Sequence, residues 1–175
     1  MSHSTREEAR GHFFDRLQRT VSCLTPAVLR RGPVTPRWPE SWSFTNNPVP
    51  LQGVSRLTFS MIHSYEFTGG QDDADSWEIA TKGYSYTLSQ QDGREVIAFH
   101  WHPNNRGQAD FPHIHVIHPL GASIIHRKQH IPTGRVSLES VVRFAIVELG
   151  ARPVRPDWER VLDAGQAEFG ARRSW

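Results

Sequence analysis

Between Phe99 and His118 the chain reads FHWHPNNRGQADFPHIHVIH, with His100 and His102 before a ten-residue loop and His113 and His115 after it. Imidazole titrates closer to neutrality than other side chains, so clustered histidines suit proton transfer or metal ligation. The residues beside and between them, Phe99, Trp101, Ile114 and Val116, are large and apolar. Alternation with period two marks half-buried strands. A symmetric hairpin closed by residues 103–112 sets His102 opposite His113 and His100 opposite His115, because directly opposed residues of an antiparallel pair share a face. Four imidazoles then gather on one face, while Phe99, Trp101, Ile114 and Val116 fill the core on the other.

Three chemistries suit such a face. The first is general acid–base cleavage of RNA, in which a neutral histidine takes the 2′-OH proton and a protonated one gives a proton to the leaving 5′-oxygen. Cations must then stabilise the phosphate, and Arg106, Arg127, Lys128 and Arg135 are the candidates. The second is a metal site: His100, His102, His113 and His115 as ligands to zinc or a similar borderline ion, with water completing a hydrolytic centre. The third is a non-catalytic binding module whose histidines lie at an interface. His118 breaks the alternation and falls outside the cluster, which also removes the chain from the histidine-triad nucleotide hydrolases: in HIHVIHP the third histidine arrives one residue late. His130, Thr133, Gly134 and Arg135 precede a helix start and form a candidate phosphate cradle.

The elements that position these residues follow from pattern. Asp92–Gly93 is a two-residue hairpin signal; taken literally it pairs Tyr84 with Trp101, Tyr86 with Phe99 and Leu88 with Ile97 on the core face, and Ser85 with His100 on the other. Residues 54–68 alternate as well, with His63 on the apolar face as a hydrogen-bonded core group. The sheet runs 54–68, 77–89, 94–102, 112–118, with 122–127 as a further edge. Residues 5–24 carry a helical stripe behind a Thr5 cap. Ser137 caps a helix with Leu138, Val141, Val142, Ala145, Ile146 and Leu149 on one face, and Asp157 caps another. Six of the twelve prolines fall between Pro26 and Pro50, a stretch expected to wrap over the core without regular structure.

Composition excludes several classes. One cysteine, Cys23 between apolar neighbours, leaves no internal disulfide and no Cys-rich zinc site. The net charge of +2, with eighteen Arg against two Lys, permits an anionic partner without arguing for one. The run Gly69–Asp75 lacks the spacing and distal Glu of an EF-hand. With neither a signal-type nor a membrane-length apolar run, the expectation is a cytoplasmic protein that spans no membrane.

Tyr84–Tyr86, Trp101–Pro103, Pro112–His115, His130–Val136 and Glu148–Gly150 together form a pattern, Y-x-Y, W-H-P, P-H-x-H, H-x-P-T-G-R-V and E-L-G. It resembles a family of small uncharacterised bacterial proteins of actinobacterial type, over about residues 84–162. The P-H-x-H strand is also similar to that of TumE-type toxins of toxin–antitoxin pairs. That resemblance implies an RNase-like toxin neutralised by a small antitoxin-like partner, with His113 and His115 as the active pair. The first 80 residues and the His100–His102 pair have no counterpart there.

The expectation is therefore a single α+β domain. An N-terminal helix and Pro-rich segment (1–50) precede an antiparallel sheet of four to five strands (54–127), and two C-terminal helices (137–170) pack on one face. Its expected work is phosphodiester cleavage of RNA by the four histidines, with His130 and Arg135 supporting and either no cofactor or a divalent metal.

Overall fold

The computed structural model describes residues 3–32, 40–53, 56–69, 76–103, 109–116 and 130–171. Helix α1 (Arg6–Val21) opens with a capping box: the Thr5 side chain accepts from Glu8 N, and the Glu8 side chain accepts from Thr5 N. Its buried residues Ala9, Phe13, Arg16, Leu17, Thr20 and Val21 recur at three- and four-residue spacing, one face of a helix. Strands β1 (Leu29–Arg31), β2 (Ser41–Phe44) and β3 (Val49–Pro50) follow, then the long hairpin β4 (Leu57–Gly69) and β5 (Trp77–Gln90). Strands β6 (Glu95–Trp101), β7 (His113–Val116) and β8 (Ile131–Pro132) lead to α2 (Leu138–Val147) and α3 (Trp158–Ala171).

All eight strands join one antiparallel sheet in the order β1-β2-β4-β5-β6-β7-β8, with β3 paired to β4 beside β2. The α+β class is as expected, and the strand count is higher. The Pro-rich stretch is not structureless: it supplies β1 and β2, which are short enough to fit between prolines, and β3, a two-residue strand that ends on Pro50. The expected edge at 122–127 lies outside the described residues, and β8 pairs with β7 instead.

The β5–β6 register is the one read from the Asp92–Gly93 turn: Tyr84↔Trp101, Ser85↔His100, Tyr86↔Phe99 and Leu88↔Ile97. Gly93 takes a φ of +85°, a left-handed turn conformation that a side chain would oppose. One face of the sheet carries Phe59, Met61, Tyr84, Tyr86, Leu88, Phe99 and Trp101 in the core. Helices α1 and α2 pack on that face, with α3 packed against both of them; Phe99 meets Phe144 of α2 with ring centres 5.9 Å apart, and Phe13 of α1 lies 5.5 Å from Tyr65. Each such buried ring contributes about 1.5–3 kcal/mol relative to exposure. A charged tie joins the helices: Arg16 of α1 donates through Nε to Glu139 of α2 at 3.2 Å, with both side chains buried.

Ser137 caps α2 as expected, accepting from Ser140 N at 3.0 Å, and α2 buries Leu138, Val141, Val142, Ala145 and Ile146. At the head of α3 the Asp157 carboxylate is held by Arg155, at 2.9 and 3.0 Å, and by Arg160. Among the described residues, no helix is long and apolar enough to cross a membrane.

Candidate functional site

With the helices on one side, strand alternation sends Ala98 and His100 of β6, then His102, to the other, and β7 adds His113 and His115. The pairing differs from the symmetric hairpin. His100 lies opposite His113 and Ala98 opposite His115, a slip of two residues. An even slip keeps every side chain on its face, so the histidines still converge. The ladder ends there because Pro112 has no N–H to give to β6; its carbonyl turns the other way and accepts from Thr133 N at 2.8 Å.

His100 lies with its ring centre 5.0 Å from His102, 5.7 Å from His113 and 5.1 Å from His115. His113 and His115 are 5.0 Å apart. A fifth imidazole joins them. β8 pairs Pro132 with His113 and Ile131 with Ile114, and one step further brings His130 beside His115. The His130 ring centre is 4.6 Å from His113 and 4.7 Å from His115. His130 therefore belongs to the histidine face rather than to a separate phosphate cradle. Its only signal in the sequence is a two-residue strand, too short to show alternation.

His100, His113 and His115 each offer one ring nitrogen, and these three nitrogens lie within 4.8 Å of one another. In a tetrahedral site with Zn–N of about 2.0–2.1 Å they would stand about 3.4 Å apart, so the rings need to close inward by roughly 1 Å. His113 is buried and oriented: its Nδ1–H donates to the Phe111 carbonyl at 2.8 Å, which leaves Nε2 with the lone pair. That arrangement is the usual outer-shell support of a metal-binding histidine. Burial holds the His113 imidazole below its ordinary pKa, opposed by the Phe111 carbonyl and reinforced by the neighbouring His130 and His115. At neutral pH His113 is thus uncharged, as a ligand or general base requires.

Of the expected cations, Arg135 alone is among the described residues, and it does not join the histidines. Arg135 stacks on Trp101, its guanidinium carbon 4.1 Å from the ring centre, and Trp101 belongs to the helix-side core. Arg135 is thereby placed across the sheet from the histidines. Arg106, Arg127 and Lys128 lie outside the described residues. His63 is the core group its position implied: buried, with Nδ1 bonded to Tyr86 Oη and Nε2 3.0 Å from Thr81 Oγ1. Burial, with Arg16 nearby, lowers its pKa to about 3. Cys23 is fully buried, and burial pushes its thiol up to about 11, the opposite of an activated nucleophile.

No family model matches the chain, and no curated protein and no solved structure matches it.

Proposed function

We propose that the histidine face is a divalent-metal centre of hydrolytic type, with His100, His113 and His115 as ligands and His102 and His130 as proton carriers beside them. The observation that carries this reading is the convergence of three ring nitrogens within 4.8 Å, from two adjacent strands. Three neutral imidazoles suit zinc or a neighbouring borderline ion and leave a position for water, which the bound ion acidifies toward neutrality. The chain's own part is to hold the rings on a rigid ladder and to fix the His113 tautomer through Phe111. A phosphodiester is the substrate class to test first. Zinc-loaded protein is expected to hydrolyse bis(p-nitrophenyl) phosphate, to lose the activity on chelation and regain it with zinc. His113→Ala and His115→Ala should be inactive at any zinc concentration. Hydrolysis unchanged in both variants would overturn the reading.

A second reading, metal-free RNA cleavage by a toxin-like ribonuclease, draws support from the depressed His113 pKa, which supplies a neutral base among other imidazoles. Its mark is RNA cleavage that persists in chelator and disappears in His113→Ala. A small antitoxin-like protein that suppresses that cleavage would be its partner. The binding-module reading predicts neither activity.

A further inference from the structure

Far from the histidine face, a small polar cavity lies between α1 and α3. Helix α1 turns Arg16 and Arg19 toward it, and α3 turns Ala164, Gly165 and Glu168, each set at the spacing of one helix face. Ala164 and Gly165 are too small to fill the gap, and a cavity of about 220 Å³ remains. That is below the usual range for small-molecule pockets, about 300–1,000 Å³, and leaves room for a compact ligand. Arg155 and Arg160 close it at the head of α3. We infer that this cavity binds a phosphate group, as inorganic phosphate or as a small hydroxylated phosphomonoester, held by Arg19 and Arg160 and read by Glu168. The site is independent of the metal reading.

The charge favours an anion. Four guanidinium groups border the cavity, and the carboxylates at its walls or bonded to them are Glu139, Asp157 and Glu168. One positive charge is left over. Two of the four guanidinium groups are committed to the protein. Arg16 gives Nε and Nη2 to Glu139, while Arg155 gives Nε and Nη2 to Asp157 and Nη1 to Ser22 Oγ. The other two keep donors to spare. Among the described residues, Arg19 uses only Nε, on the Asp15 carbonyl at 3.3 Å, and Arg160 uses only Nη2, on Asp157. Two planar forks from different helices offer more N–H groups than the two oxygens of one carboxylate take up. They suit the several oxygens of a tetrahedral phosphate.

Glu168 narrows the choice. Its Oε2 is buried without a hydrogen-bond partner among the described residues, a cost that a donor on the ligand would remove. A turn of the carboxylate about its last bond offers either oxygen to that donor. An anion held beside a carboxylate must bring a proton to share, because like charges otherwise repel. Monohydrogen phosphate brings a P–OH, and a phosphomonoester of a polyol brings a hydroxyl. Sulfate at neutral pH brings neither.

The test is isothermal titration calorimetry of the full chain, dialysed against chelator so that no metal takes the anion. The ligands are inorganic phosphate, glycerol 3-phosphate and sulfate at neutral pH. One phosphate or glycerol phosphate per chain is expected to bind, and sulfate about tenfold more weakly or less. The tighter of the two phosphates identifies the source, and either one supports the site. Arg19→Gln and Arg160→Gln should each weaken it by about tenfold or more, the effect of losing a charge-assisted bond. Both side chains are exposed, so these variants keep the fold. Arg30, exposed on β1 and outside the cavity, is the control, and Arg30→Gln should bind as the parent does. Glu168→Gln adds a donor where only acceptors stood, so the preference for phosphate over sulfate should shrink or reverse. No saturable binding, equal affinity in Arg19→Gln and the parent, an equal loss in Arg30→Gln, or an unchanged preference in Glu168→Gln would overturn the inference.

Discussion

Glu139 offers the sharpest structural prediction. Its side chain is 1% exposed in the first turn of α2, and its carboxylate accepts from Arg16 Nε, Arg16 Nη2 and Thr20 Oγ1 at 3.2, 3.4 and 3.1 Å, all from α1. Glu139→Ala leaves the Arg16 cation, 7% exposed, without its counter-charge. Breaking one half of a buried pair costs about 3–5 kcal/mol, a large part of a typical stability of about 5–15 kcal/mol. Arg16 also borders the cavity between α1 and α3, so water reaching it there moves the cost toward the lower end. For a chain of this length the melting point should fall by about 6–20 °C. Urea unfolding followed by tryptophan fluorescence measures the loss directly. Glu139→Gln should cost less, because an amide oxygen still accepts from α1. Arg16→Met with Glu139→Met should recover most of the stability, since neither charge then remains. A loss below about 1 kcal/mol in Glu139→Ala, or a double variant as unstable as the single one, would refute the reasoning.

Other expectations follow from neighbouring groups. His63, with a folded pKa of about 3 against an ordinary 6.5, is neutral in the fold, whereas the unfolded chain takes up a proton below 6.5. Stability should therefore fall as pH drops from 6.5 toward 3, by about 4–5 kcal/mol from this group. His63→Gln should flatten that part of a stability–pH curve, and an unchanged curve would contradict it. Gly165→Ala, which in an open helix stabilises, should here destabilise by about 1–3 kcal/mol. The new Cβ would stand 2.6 Å from Glu139 Oε1 and 2.8 Å from its Cγ. In a Glu139→Ala background the penalty should vanish. Zinc affinity should fall below neutrality, because ligands must be neutral, by up to tenfold per pH unit for each protonating histidine. His113, held below its ordinary pKa, should keep the slope below three where an ordinary imidazole is already charged; a pH-independent affinity would exclude imidazole ligands.

What was legible in the sequence was legible for local reasons. The Thr5 box and the α2 stripe are complete within one helix. The β5–β6 register follows from a two-residue turn and two alternating strands that agree on the core face. The histidine face emerged for the same reason, although its hairpin did not. The 103–112 connection carries no turn signal that sets register, and Pro112 ends the ladder two residues from where symmetry put it. The sides of the sheet taken by His130 and Arg135 were not legible, because His130 stands before a two-residue strand too short to show alternation and Arg135 lies in coil running from 133 to 137, which has no period. β2 was hidden by burial on both faces, Ser41 and Ser43 being as covered as Trp42 and Phe44, so that its alternation marked no solvent side.

The central claim is that three histidines from β6 and β7 hold a metal ion. The most direct measurement is bound zinc per chain after dialysis against limiting free zinc, by inductively coupled plasma mass spectrometry. The parent, His100→Ala, His115→Ala and, as control, His63→Gln should be compared. One zinc per chain in the parent and in His63→Gln, lost in both of the other variants, is the predicted result. Stoichiometric zinc that survives His100→Ala and His115→Ala, or none in the parent, would contradict the account.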